Sequence, residues 1–315
     1  MRKFWLILRQ AFTEFLNDHG LKFSASLSYY TIFALGPVLI IIISLAGIFF
    51  GKDAVEGKIY WQIHGLVGSA AALQIQEIIS NIEQSQLSRS GAILGIIILL
   101  IGATGVFTEM QESINYIWSI KSKPKKSLVK FFFDRLLSFS LTISFGFILM
   151  ASLGVHALID LLHEKLKTFF DEATVIVFQG LNYVILFAVI TTLFAIIFKV
   201  LPDAKIRWKD TFVGATFTAV LFLIGKFLIS FYLGNSNIGV TYGAAASVVI
   251  ILLWVYYTSI ILYFGAEFTK IYTMNFGGGI VPDKTAVFII KQEVTEVTPS
   301  REDIALMEEK QKEAQ

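Results

Sequence analysis

The chain has 315 residues, 55% of them hydrophobic and 16% charged, with a net charge of +2 and no cysteine. That balance, with a mean hydropathy of +0.69, excludes an ordinary water-soluble domain, and the scattered charge excludes a nucleic-acid surface, which needs concentrated cations. Without thiols there is no disulfide framework, thiolate metal site or cysteine nucleophile.

The first element, residues 1–27, alternates basic and bulky apolar side chains without a small-residue cleavage site, which argues against a removable signal. Phe4, Leu8, Phe12, Phe15 and Leu16 share one helical face, predicting an amphipathic helix at the membrane interface. An apolar run over 28–50 follows, long enough to cross the roughly 30 Å hydrocarbon core as a helix. Within it, Gly36-Pro37 removes a backbone donor and predicts a kink whose freed carbonyl is met by a neighbour or lines a cavity.

Residues 51–90 are too long for a turn and carry Leu73, Ile75, Ile78, Ile79 and Ile82 among Gln and Glu, predicting one or two external amphipathic helices. The second span is expected near 91–107. Beyond it Glu109 and Glu112 fall on one helical face and, with Lys199 and Glu267, are expected in a belt of ion pairs or a charged inner vestibule. Further spans are expected near 136–158, 175–201, 211–233 and 244–271, giving an all-α polytopic membrane bundle of about six transmembrane helices. Long Leu, Ile and Phe runs exclude the period-two alternation of a β-barrel.

Lysines at 121, 123, 125, 126 and 130, and basic residues at 199, 205, 207 and 209, crowd two of the links. By the excess of cations on cytoplasmic loops, both of these links, and both termini with them, belong in the cytoplasm. Trp5, Trp118 and Trp208 fall at those boundaries as interfacial anchors. Lys226 is the deepest charge in a predicted span, and is read either as a snorkelling lysine or as an intramembrane site. The uncharged, glycine-rich link that contains Tyr242 is a surface loop or a re-entrant one. From 273 a polar tail begins, jointed by Gly277, Gly278 and Gly279 and expected to be a flexible cytoplasmic segment with a short strand near 286–297.

Catalytic signatures are not found in the sequence. The histidines, His19, His64, His156 and His163, have no zinc-ligand spacing, and Gly234-Asn235-Ser236-Asn237-Ile238-Gly239 misses the second glycine of a nucleophile elbow. No phosphate-binding Walker loop is present. The expectation is a non-enzyme with no cofactor and no metal, whose partners are membrane lipids, with an envelope protein as a further partner in a docking role.

The landmarks Ser24-Ala25-Ser26-Leu27-Ser28-Tyr29-Tyr30 before Gly36-Pro37, Gly105-Val106-Phe107 before Asn115-Tyr116-Ile117-Trp118, and Leu201-Pro202-Asp203 before Trp208-Lys209-Asp210 come in a distinctive order. Thr241-Tyr242-Gly243 before Trp254-Val255-Tyr256 and Gly265-Ala266-Glu267 completes it. This order resembles the YihY/BrkB family of bacterial inner-membrane proteins, over roughly residues 20–272. The resemblance implies six spans in the cytoplasmic membrane and a role in export of an envelope lipid. It also implies that the family's older ribonuclease label was a misassignment. It marks Tyr29, Tyr30, Pro37, Asn115, Tyr242 and Glu267 for testing. Two rival readings stand beside lipid transport: an ion- or proton-coupled small-solute transporter titrating Glu109, Glu112 or Glu267, and a non-catalytic envelope scaffold.

Overall fold

A computed structural model describes residues 2–34, 72–77, 105–123, 172–236, 241–242 and 245–291. Within these, α1 is Arg2–Asn17, α2 covers 20–34 and α3 covers 105–117. The long helices are α4 (Glu172–Val200), α5 (Trp208–Asn235) and α6 (Ala246–Phe276). Three stretches of these, Tyr183–Val200, Trp208–Asn235 and Ala246–Phe276, are long and apolar enough to cross a membrane, matching the spans expected at 175–201, 211–233 and 244–271. The bodies of the spans expected at 28–50, 91–107 and 136–158, Pro37 among them, lie outside the described residues. So do most of 51–90 and the chain beyond 291.

α5 packs between α4 and α6, and α1 packs on α6. The α5–α6 seam is close because small residues alternate across it. A Cβ added at Gly214 would strike the Thr269 side chain, and one at Gly265 would strike Thr218. Thr218 and Thr269, both buried, give their hydroxyl hydrogens to the carbonyls of Gly214 (2.8 Å) and Gly265 (2.7 Å) on their own helices. Such backbone approach is how spanning helices gain contact where lipid removes the hydrophobic drive. Phe194, Phe198, Phe222 and Tyr263 fill the remaining space, with Ile114 and Ile117 of α3 and the adjoining Trp118 against them.

Two short antiparallel ladders close one end. β1 (Ile120–Ser122) pairs with β4 (Ala286–Phe288), and β2 (Ala204–Lys205) with β3 (Val281–Pro282). The described part of the expected flexible tail is therefore folded: α6 runs on to Phe276, and 277–291 returns over the links at 118–123 and 200–207. The three glycines make a tight turn and not a loose joint. Gly277 and Gly279 both donate to the Thr273 carbonyl (3.0 and 3.2 Å), and a Cβ on Gly278 would strike the Arg207 guanidinium. Gly279 takes φ +77°, a left-handed conformation that glycine adopts without steric cost.

The end holding α1, these ladders and the 200–207 link is the charged end. At the opposite end the 72–77 helical segment meets the start of α6, where Ser247 Oγ donates to Glu77 Oε2 at 3.4 Å.

Candidate functional site

Two joined polar clusters occupy the charged end. The first is centred on Asp203, in the link between α4 and α5. Pro202, next to it, is buried, so the chain turns here through the core and its polar groups need partners. Asn115 of α3 supplies two: its Nδ2 donates to Asp203 Oδ2 (3.0 Å), while its Oδ1 accepts the Asp203 backbone N–H (2.8 Å). Ser122 Oγ also donates to Asp203 Oδ2, and the Asp203 carbonyl accepts the Asp283 N–H (2.9 Å). One residue thus ties α3, β1, the α4–α5 link and the C-terminal return. Trp118 adds a further tie, its Nε1 donating to the Ala266 carbonyl of α6 (3.0 Å). Being buried, Trp118 is a strut between helices and corrects its reading as an interfacial anchor; Trp5 and Trp208, at 70% and 51% exposure, are free to act as anchors.

The second cluster joins α1, α6 and the return. Glu267 is fully buried and Asp18 nearly so. Lys270 Nζ lies 3.2 Å from Glu267 Oε2, 3.3 Å from Asp18 Oδ2 and 4.0 Å from Glu14 Oε2, and Lys291 Nζ lies 2.5 Å from Asp18 Oδ2. Lys291 also stands 4.2 Å from the Tyr116 ring centroid, a cation–π contact one residue from Asn115. Burial pushes the Asp18 carboxyl up, but hydrogen bonds with Glu267 and Lys291 and the charges of Lys270 and Lys291 outweigh it and hold it below its ordinary value. Burial also lowers Lys291, against the opposing pull of Asp18. Glu267 Oε1 has no hydrogen-bond partner among the described residues.

At the start of α5, Asp210 Oδ2 accepts from Arg207 Nε (3.0 Å) and from the Gly278 N–H (2.9 Å). An acid in the first helical turn also favours the helix dipole. Lys199, at the end of α4, donates to the Ile206 carbonyl and lies over the Trp208 ring at 5.5 Å.

Of the residues singled out from sequence, the structure brings Asn115 and Glu267 into this site. Glu109 stands beside it, accepting from Ser113 Oγ at 3.5 Å. The expected ion-pair belt of Glu109, Glu112, Lys199 and Glu267 is corrected. Among the described residues no ion pair reaches the first three, and the belt consists of Glu14, Asp18, Glu267, Lys270 and Lys291. Glu112 is exposed, its carboxyl pushed up by partial burial and by Glu109. Tyr29 and Tyr30 lie exposed on α2, edge to face at 5.8 Å. Tyr242 is exposed at the opposite end. Lys226, half-buried on α5, is roughly 24 Å from Asp210 at 1.5 Å of rise per residue. Asp18, Lys270 and Lys291 were missed; for Asp18 a signal existed, an acid continuing the buried series Ile7, Ala11 and Phe15.

A family model described as virulence factor BrkB matches residues 11–287. The chain is similar to a UPF0761 membrane protein of Verminephrobacter eiseniae, 26% identical over 84% of this chain and 62% of the relative. It is also similar to one of Alcanivorax borkumensis, 26% identical over 86% of this chain and 60% of that relative. A putative ribonuclease-like protein, YfkH of Bacillus subtilis, is 24% identical over 82% of this chain and 92% of its own length. The chain spans about 60% of the length of the first two relatives. No solved structure matches it.

Proposed function

The chain belongs to the virulence factor BrkB family of integral membrane proteins, and from that premise we propose that it is a non-catalytic transporter that moves an anionic envelope lipid, or a similar amphipathic molecule, across the bacterial cytoplasmic membrane. In this reading about six spans cross the bilayer and the charged end faces the cytoplasm, a placement the excess of cations on the lysine-rich links supports.

The observation that carries it is Lys226. A charge deep in a span costs about 2.5–3.5 kcal/mol on insertion scales, and this one sits half-buried on a helix whose neighbouring Ile224, Phe227, Leu228, Phe231 and Tyr232 are exposed. Lys226 takes part in an interaction within the protein; its positive charge, set beside an exposed apolar stripe, still lowers the cost of bringing an anionic head group alongside α5 while the tails remain in hydrocarbon. A lysine that merely snorkels to the interface confers no preference for head-group charge, so the two roles separate by experiment. In reconstituted vesicles, labelled phosphatidylglycerol should cross faster than labelled phosphatidylcholine. Lys226→Leu should slow the anionic lipid about tenfold, the effect of roughly 1.4 kcal/mol, and leave the zwitterionic one unchanged. No translocation of any head group would overturn the proposal.

The buried Glu267 favours a second reading, ion- or proton-coupled movement of a small solute, because a buried carboxyl at the end of a span, with one oxygen unpartnered among the described residues, is a natural ion site. A pH gradient would then drive flux, and Glu267→Gln would abolish the coupling. Flux indifferent to both removes this option.

A further inference from the structure

α1 buries one face and leaves a second apolar face uncovered. At 100° per residue, the buried Ile7, Ala11, Phe15 and Asp18 fall within an arc of about 80°. Ile7 and Ala11 pack with Phe268 and Ile271 of α6, and Phe15 meets Phe264 edge to face at 5.9 Å. Trp5, Phe12 and Leu16 fall within about 40° of one another, in an arc centred about 120° from the buried one, and are exposed at 70%, 57% and 47%. Arg9, also exposed, borders this stripe, and Gln10, Thr13 and Asn17 occupy the remaining flank together with Leu6, the one exposed apolar residue there.

A soluble helix docked on a core shows one apolar face; two, with a cation between the second and the polar flank, is the arrangement of a helix lying in a lipid interface. The series of exposed apolar side chains continues along α2 as Leu21, Tyr29 and Phe33, the helix that leads into the expected first span. α1 is thus followed directly in the chain by a helix with an exposed apolar surface of its own, and it is fixed to the charged end of α6, a helix long and apolar enough to span.

We propose that the Trp5–Phe12–Leu16 face of α1 is a binding surface for the membrane leaflet at the charged end, selective for anionic lipid through Arg9. The opposite face is held to α6 by the apolar contacts and by the Asp18–Lys270 ion pair (3.3 Å). The surface is therefore rigidly connected to the bundle, and a helix seated in the leaflet fixes the depth of α6.

The cysteine-free chain allows single cysteines to be spin-labelled at positions 5, 12 and 16 and, as controls, at 10, 13 and 17, in full-length protein reconstituted with phosphatidylethanolamine and phosphatidylglycerol. Labels at 5, 12 and 16 are expected to collide with oxygen and to be shielded from a water-soluble nickel complex, with the reverse at 10, 13 and 17. Replacing phosphatidylglycerol by phosphatidylcholine, or Arg9 by Glu, is expected to bring the first three labels closer to water. Nickel access at 5, 12 and 16 equal to that of the controls would overturn the proposal, as would exclusion of both reagents there, which indicates a protein partner. Should a label disturb the bundle, amide exchange of α1 in the unmodified protein is the second readout. Exchange is expected to slow several-fold in the anionic vesicles relative to the phosphatidylcholine ones, and equal rates in both would overturn the selectivity.

Discussion

Asn115 illustrates how much one side chain can carry. Its amide matches Asp203 on both the carboxylate and the backbone N–H, so removing it orphans the N–H and leaves the carboxylate oxygen with Ser122 alone among the described residues, in a turn lined by buried residues. Asn115→Ala should cost about 2–4 kcal/mol, roughly 1–3 kcal/mol for the unmet N–H and about 1 kcal/mol for the lost hydrogen bond to the carboxylate, seen as a lower melting temperature in detergent. Asp18 predicts a pH dependence. Its carboxyl is held below its ordinary value of 3.8, so it binds a proton less readily folded than unfolded. Its contribution is complete above that ordinary value and is lost as the pH falls through the lower folded one. The stability difference between the parent and Asp18→Asn, about 3 kcal/mol at neutral pH for a broken buried pair, should therefore shrink as the medium becomes strongly acidic. A difference that stays constant down to low pH would exclude the ion pairs as its source. Both residues were only half visible in the sequence: Asn115 stood out by resemblance, but nothing local shows that it reaches a residue 88 positions away.

At the scale of elements, the seam between α5 and α6 depends on the absence of a methyl group. Gly265→Ala should cost about 1–3 kcal/mol, the range for overpacking, because the Thr218 side chain already occupies the space. Thr218→Ala in the same chain, which removes both the Oγ1 and the Cγ2 that the new methyl would strike, should recover part of the loss, and an unaffected melting temperature in Gly265→Ala would show that the helices can part freely. The long spans were the most legible part of the fold, since apolar length alone defines them. α4, α5 and α6 match expectation to within a few residues. The turn at Gly277–Gly279 was not legible, because three adjacent glycines have the same composition in a loose linker as in a turn forced by Asp210, Arg207 and a left-handed backbone. The face of α1 was half legible. Periodicity grouped Phe12 and Leu16 with Phe15, yet Phe15 faces α6 while the other two are exposed; a hydrophobic stripe does not say whether protein or lipid covers it.

Across the whole molecule, Asn115, Asp203, Asp210 and Glu267, scattered in sequence, gather at one end, where five segments distant in sequence meet, while Tyr242 lies at the other. Orientation is testable on the same scale. Single cysteines at positions 205 and 284 should react with a membrane-impermeant maleimide only after the cytoplasmic side of the membrane is opened, and one at 242 in intact, outer-membrane-permeabilised cells. The opposite pattern would invert the proposed topology.

The ladders that close the charged end also impose an order of assembly. Ile120 finds its register partner in Phe288, and Ala204 in Pro282, so neither strand pair can form until nearly the whole described chain has been synthesised. Spanning helices satisfy their own backbone and can enter the bilayer one after another; β1 and β2 must wait for 281–288 to emerge. A nascent chain halted before that point would hold inserted helices with an unfastened end, and pulse-labelled protein should become resistant to proteolysis at 118–123 only once the return segment is made.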